Sequence, residues 1–123
     1  IFAHPDLVPE GEMDLELLKQ QPLIGYKEFN IKPVKWFREH VSNGPYHVSC
    51  NTVAAANGCS MNKLGFALLP VLMPTDLEEV YRLPSECDGY MWLLAHPEMR
   101  NVNRVKVFWD YLLEQNEKGT FFN

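Results

Sequence analysis

The chain has 123 residues, the size of one ordinary domain and enough for one hydrophobic core. Hydrophobic residues at 46% and charged residues at 22% exclude a disordered, collagen-like or repeat protein. A formal net charge of -5 argues against this segment gripping a phosphate backbone, which takes clustered Lys and Arg, so nucleic acid is not its own ligand.

Cys50, Cys59 and Cys87 are odd in number and form no CxxC pair. Neither a disulfide framework nor a zinc knuckle is expected, and buried free thiols in a reducing, cytoplasmic setting fit better. The longest apolar run, Phe66 to Met73, contains Pro70 and is too short to span a bilayer. No charged leader with an apolar core precedes it, so no signal peptide is expected. The chain begins at Ile1 without Met and runs almost at once into a strand, which reads as part of something longer.

In chain order, Ile1 to Ala3 reads as the tail of a strand stopped by His4 and Pro5, and Leu7 to Glu12 reads as loop. Asp14 is placed to cap a helix over Leu15 to Gln20, with Met13 and Leu18 as a hydrophobic staple. Pro22 stops that helix, and Leu23 to Tyr26 follows as a strand. After the polar Lys27 to Lys32, Pro33 suits the first turn of a helix whose inward face is Val34, Phe37 and Val41, ended by Asn43-Gly44-Pro45.

The stretch Val48 to Pro70 is the centre of the reading. Tyr46, Val48 and Cys50 alternate with His47 and Ser49 as in a half-buried strand, and Asn51 is expected to cap the following helix by accepting from the N–H of Val53 or Ala54. Phe66 to Leu69 is a continuous apolar run ended by Pro70, as in a parallel strand buried on both faces. Strand, helix and strand make a βαβ unit. Asn57-Gly58 disfavours its helix, which is expected to be broken there or to let another backbone approach at Gly58. Beyond Pro70 the sequence predicts a loop or short helix at Asp76 to Glu79 and strands at Val80 to Leu83 and Tyr90 to Ala95. Val105, Phe108, Trp109 and Leu112 then mark the inner face of a last helix. This alternation defines an α/β domain with a mainly parallel sheet.

Ligands of open parallel sheets bind beyond the carboxyl ends of the strands, here Tyr26-Lys27-Glu28 and Cys50-Asn51-Thr52. A helix opening there offers free N–H groups and a positive dipole end, worth about 0.3–1 kcal/mol toward an exposed anion. The hydroxyls of Ser49 and Thr52 add donors, and Gly65 and Phe66 are candidates to line the same cleft. On the residues alone, capping accounts for Asn51. His4, His40, His47 and His96 lack metal-ligand spacing, and Ser49 has no GxSxG context, so neither a metal site nor a hydrolase is expected. Trp36, Trp92 and Trp109 read as core or interface anchors, and Cys50 as a buried, inert thiol on the Tyr46, Val48 face, with a redox-sensing thiol as the open alternative.

Four segments together resemble a known family. Val48-Ser49-Cys50-Asn51 with Lys63-Leu64-Gly65-Phe66-Ala67-Leu68-Leu69-Pro70 is similar to the signature of the effector-binding domain of LysR-type transcriptional regulators. Asp14-Leu15 to Leu23-Ile24, Trp92 to Pro97, and Arg104-Val105 resemble its flanking segments in the right order. Two departures stand out: Lys63 occupies the place of a glycine in the family's turn, so that Asn62 is expected to take the left-handed position, and Asn57-Gly58 interrupts a helix usually richer in Ala and Val.

The resemblance implies a periplasmic-binding-protein-like (type 2) effector domain of two lobes with a small-molecule cleft between them. Residues 1–74 would form most of lobe two, and residues 75–123 would return to lobe one and end in a C-terminal helix. A winged helix-turn-helix would precede this sequence. The implied role is regulatory and not enzymatic: a small polar or anionic effector held by Lys27, Ser49, Asn51, Thr52, Gly65 and Phe66, with no cofactor and no metal. The implied protein is cytoplasmic, associates with itself as a dimer or tetramer, touches DNA only through the absent domain, and does not engage a membrane. The competing class is a small-molecule-binding domain of an enzyme or of a transport-type solute binder with the same fold. With half a lobe missing, Tyr90 to Ala95 and the last helix are expected to expose apolar surface and to drive self-association.

Overall fold

The structure is a computed structural model and describes residues 1–73 and 76–120. The amino end is already a strand, β1 (Phe2–Ala3), followed by a 3-10 turn at Pro5–Leu7. Helix α1 (Leu15–Lys19) opens where the sequence places it, since the Leu17 N–H donates to Asp14 Oδ1 at 2.8 Å. Its Leu18 is fully buried. Strand β2 (Leu23–Tyr26) is buried at all four residues. Helix α2 (Lys32–His40) carries Pro33 in its first turn, and Val34, Phe37 and Val41 are buried as their spacing predicts. Trp36 is buried as well, its ring stacked on His40 at 4.6 Å and on Tyr81 at 6.1 Å.

Strand β3 (Val48–Cys50) is shorter than the alternation suggested. Helix α3 (Val53–Met61) differs from expectation in three ways. Its N-cap is Thr52, whose Oγ1 accepts from the Ala55 N–H at 3.1 Å, and not Asn51. It runs unbroken through Asn57-Gly58, and a Cβ on Gly58 would meet nothing within 4 Å, so no backbone approaches there. It ends in a Schellman turn with Lys63 itself left-handed at φ 62, the Leu64 N–H donating to Cys59 O and the Lys63 N–H to Ser60 O, both at 3.0 Å. Asn62 keeps a negative φ of -89.

Strand β4 (Phe66–Ala67) follows, and β5 is Glu78–Glu79, upstream of the expected Val80 to Leu83. The sheet order is β3-β2-β4-β1-β5. Strands β3 and β4 flank β2 in parallel, while β1 lies antiparallel to both β4 and β5. The α/β class holds, but the sheet is mixed, because β1 inserts from the start of the chain between β4 and β5. Successive residues of β1 and β2 point to opposite faces, as the strand pleat requires. Ile1, Ala3 and Leu23 pack on one side with Leu18, Trp36 and Phe37, and Phe2, Ile24 and Tyr26 on the other with Cys50 and Ala56.

The chain divides into two compact units after Asp88. The expected boundary at 74/75 lies outside the described residues, and Leu77 to Asp88 belongs with the first unit. There β5 pairs with β1, while Leu77 and the Cys87 of a 3-10 turn (Ser85–Cys87) are buried in its two cores. In the second unit Tyr90 to Ala95 forms no strand and pairs with none among the described residues, and α4 (Pro97–Arg100) and α5 (Asn103–Glu117) follow. Of the expected inner face of α5, Val105, Trp109 and Leu112 are half-buried and Phe108 is exposed. The Arg100 guanidinium lies 4.9 Å from the Trp109 ring centre. No helix among the described residues is long and apolar enough to cross a membrane.

Candidate functional site

Parallel pairing in register decides which residues meet. Ile24 faces Val48, Gly25 faces Ser49 and Tyr26 faces Cys50, and the Lys27 N–H donates to Cys50 O at 3.2 Å. Lys27 and Asn51 therefore leave the sheet side by side, next to Thr52 and the amino end of α3. Lys27, Ser49, Asn51 and Thr52 are all exposed. With Thr52 committed to Ala55, the other first-turn N–H groups are those of Val53 and Ala54, which carry the positive end of the helix.

A second cation reaches this edge that the sequence reading missed. Half-buried Arg38, near the end of α2, donates through Nη2 to Tyr26 O at 3.0 Å and to Lys27 O at 3.4 Å. Two carbonyls at the end of β2 thus hold the guanidinium in place. Among the described residues neither Lys27 nor Arg38 is paired with a carboxylate. Its position beside buried Phe37 was the available signal, since a charged residue flanking an inward face is a candidate to reach around it.

Beneath the edge, the Tyr26 hydroxyl donates to Leu68 O at 2.7 Å, and its ring meets Phe29 edge-on at 5.0 Å. Burial, with a smaller contribution from Cys50, pushes the Tyr26 phenol up to about 12. Burial also raises the Cys50 thiol, and the Cys59 sulfur beside it adds to the effect. Pro70, Val71 and Leu72 emerge exposed beyond β4, so an apolar lip accompanies the polar groups.

Gly65 and Phe66 are not part of this edge. Phe66 pairs with Leu23 at the amino end of β2, four residues before Lys27 and so about 13 Å away along a strand. Phe66 is fully buried and presents no surface to a ligand. Gly65, at φ 155, is there because a Cβ would lie 2.5 Å from Pro22 O. Their work is turning and packing, and the structure gathers only Lys27, Ser49, Asn51 and Thr52 of the six sequence candidates.

In the second unit, a hollow of about 190 Å³ is lined by Arg100, Asn101, Lys106, Trp109, Asp110 and Leu113. It falls below the roughly 300 Å³ at which small-molecule pockets begin. Comparison with protein-family models, with curated proteins and with solved structures gives no match to this chain.

Proposed function

We propose that the chain is the ligand-sensing part of a LysR-type DNA-binding transcription regulator, a type 2 periplasmic-binding-protein-like effector domain that binds a small polar or anionic molecule between two lobes. The observation that carries this reading is the single sheet edge where β2 and β3 end, α3 begins, and Lys27, Arg38, Ser49, Asn51 and Thr52 converge. Two cations without carboxylate partners among the described residues and a helix amino end all favour negative charge, so a carboxylate effector fits best. The strand order supports the reading too. Because β1 is antiparallel to β4 and β5 is antiparallel to β1, the start of β1 and the end of β5 sit together at that same edge. A lobe joined to another by two adjacent strands beside its ligand would be wired in this way.

In this reading the domain works in the cytoplasm, performs no chemistry, and self-associates as a dimer or tetramer. It reaches DNA through a separate winged helix-turn-helix. Effector binding shifts an existing equilibrium between open and closed lobes by its differential affinity for the two. The test is titration of the full-length regulator on operator DNA with and without a panel of small carboxylates. The expected result is a shift in DNA affinity or bending with one of them, weakened by Lys27→Ala. Saturable binding that leaves DNA affinity and bending untouched would count instead for a transport-type binder or an enzyme domain.

A further inference from the structure

The Sγ atoms of Cys50 and Cys59 lie 3.9 Å apart as free thiols. Cys50 ends β3 and is buried, while Cys59 sits two turns into α3 and is half-buried. Their residues bracket Asn51 and Thr52, the turn that carries the sheet-edge polar groups. A disulfide has an S–S distance of about 2.05 Å, so the sulfurs must close by about 2 Å, within reach of small χ1 adjustments on two short side chains. No other titratable side chain is needed to bring them together, and the thiol pair has no part in the effector reading above.

We propose that Cys50 and Cys59 form a thiol-disulfide exchange site that is oxidised by low-molecular-weight disulfides of the glutathione class. The Cys59 thiolate, the more accessible of the two, attacks one sulfur of the small disulfide, forming a mixed disulfide and releasing one small thiolate. Cys50, deprotonated, then attacks Cys59 Sγ, forming the Cys50–Cys59 bond and releasing the second small thiolate. The two protein sulfurs are oxidised, the two sulfurs of the reagent are reduced, and the two protein thiol protons end on the two released thiols. Burial holds the Cys50 thiol above its ordinary range, which disfavours Cys50 as first attacker and assigns it the resolving step. The product ties the carboxyl half of α3 to the end of β3, closing a loop that contains Asn51-Thr52. Cys87, buried in the other core of the first unit, is outside the pair.

The experiment incubates the native chain with glutathione disulfide, quenches in acid, labels remaining thiols with N-ethylmaleimide in denaturant, and maps the tryptic peptides. Cys50 and Cys59 fall in one peptide, 39–63, since Arg38 and Lys63 are consecutive cleavage sites. The expected product is that peptide unlabelled and lighter by two hydrogens, with Cys87 fully labelled. In Cys50→Ser, Cys59 should retain glutathione, and in Cys59→Ser, Cys50 should remain fully labelled. Should peptide 39–63 of the native chain keep both labels, stay as a stable glutathione adduct, or link to Cys87, the proposal is overturned.

Discussion

The ring of Tyr46 occupies the space beside Gly25 so closely that a Cβ on that glycine would stand 2.1 Å from Cδ2 and 2.4 Å from Cγ. The root and one whole edge of the ring are in the way, so the side chain as a whole would have to move. Tyr46 is held by its hydroxyl, which donates to Ser42 O at 2.8 Å, and by Phe37, with ring centres 6.2 Å apart. Gly25→Ala is therefore expected to destabilise the first unit by about 2–3 kcal/mol, the upper range for overpacking. Urea unfolding checks this, and the double variant Gly25→Ala/Tyr46→Ala should cost clearly less than the two single changes added together.

Thr52 and Asn51 separate capping from recognition. Thr52→Ala removes the oxygen that holds the Ala55 N–H and should cost about 1 kcal/mol. Exposed Asn51 makes no such bond, so Asn51→Ala should change stability by less than about 0.5 kcal/mol. Comparing the two variants by urea unfolding decides the assignment, and equal losses would return the cap to Asn51. If the edge binds an effector as proposed, Asn51→Ala should weaken that binding while leaving the fold intact.

Much of the fold is legible in the sequence where a local pattern suffices. Asp14 caps α1, and Val34, Phe37 and Val41 bury as their spacing requires; the last helix forms, but of its expected inner face Phe108 is exposed and the other three residues are only half-buried. What was hidden depends on distant partners. Phe2 pairs with both Ala67 and Glu79, and no local signal tells a strand of two residues to lie antiparallel between β4 and β5. Tyr90 to Ala95 has strand composition, but a strand also needs a neighbour. The candidate site was half legible for the same reason: strand ends place Lys27 and Asn51, while Arg38 arrives through tertiary packing. Gly65 and Phe66 went to the opposite edge because a buried run does not announce which of its ends faces a ligand.

Gly65 accordingly belongs to stability. Gly65→Ala puts a Cβ against the carbonyl of Pro22, which also accepts the Phe66 N–H at 2.8 Å, in a backbone region that L residues avoid. Backbone cannot step aside as a side-chain tip can, so a loss of about 3 kcal/mol is expected. Thermal unfolding of Gly65→Ala beside Gly58→Ala checks it, because Gly58 meets nothing and lies inside a helix, where alanine is favoured by about 1 kcal/mol. The two glycines should move the midpoint in opposite directions.

Tyr26 gives the fold an alkaline limit. Its phenol is buried, donates to Leu68 O, and is pushed up to about 12, against about 10 in an unfolded chain. A raised folded value means that the native state keeps the proton longer, so this contribution is complete below pH 10 and is lost as the pH rises toward 12. The loss amounts to roughly 3 kcal/mol at most. Tyr26→Phe should be less stable at neutral pH by about 1 kcal/mol through the lost hydrogen bond, but should lack this alkaline decline. Urea midpoints of both proteins across the alkaline range should therefore converge, and parallel curves would exclude Tyr26 as the cause.

The second unit leaves more apolar surface open than a lone chain tolerates well. Tyr90, Trp92 and Leu94 are 88%, 77% and 82% exposed, and on α5 Val107 and Phe108 are 70% and 60% exposed. Large exposed apolar patches drive association, and the backbone of residues 90–95, which joins no strand among the described residues, adds hydrogen-bonding groups that another chain can satisfy. The chain is therefore expected to self-associate at micromolar concentration and to bind a dye such as ANS. Replacing Trp92 and Leu94 with Lys should shift light scattering toward the monomer and lower dye binding, while leaving the urea midpoint of the first unit unchanged. A monodisperse monomer that binds no dye, with Trp92 and Leu94 intact, would show that these residues are covered within the chain itself.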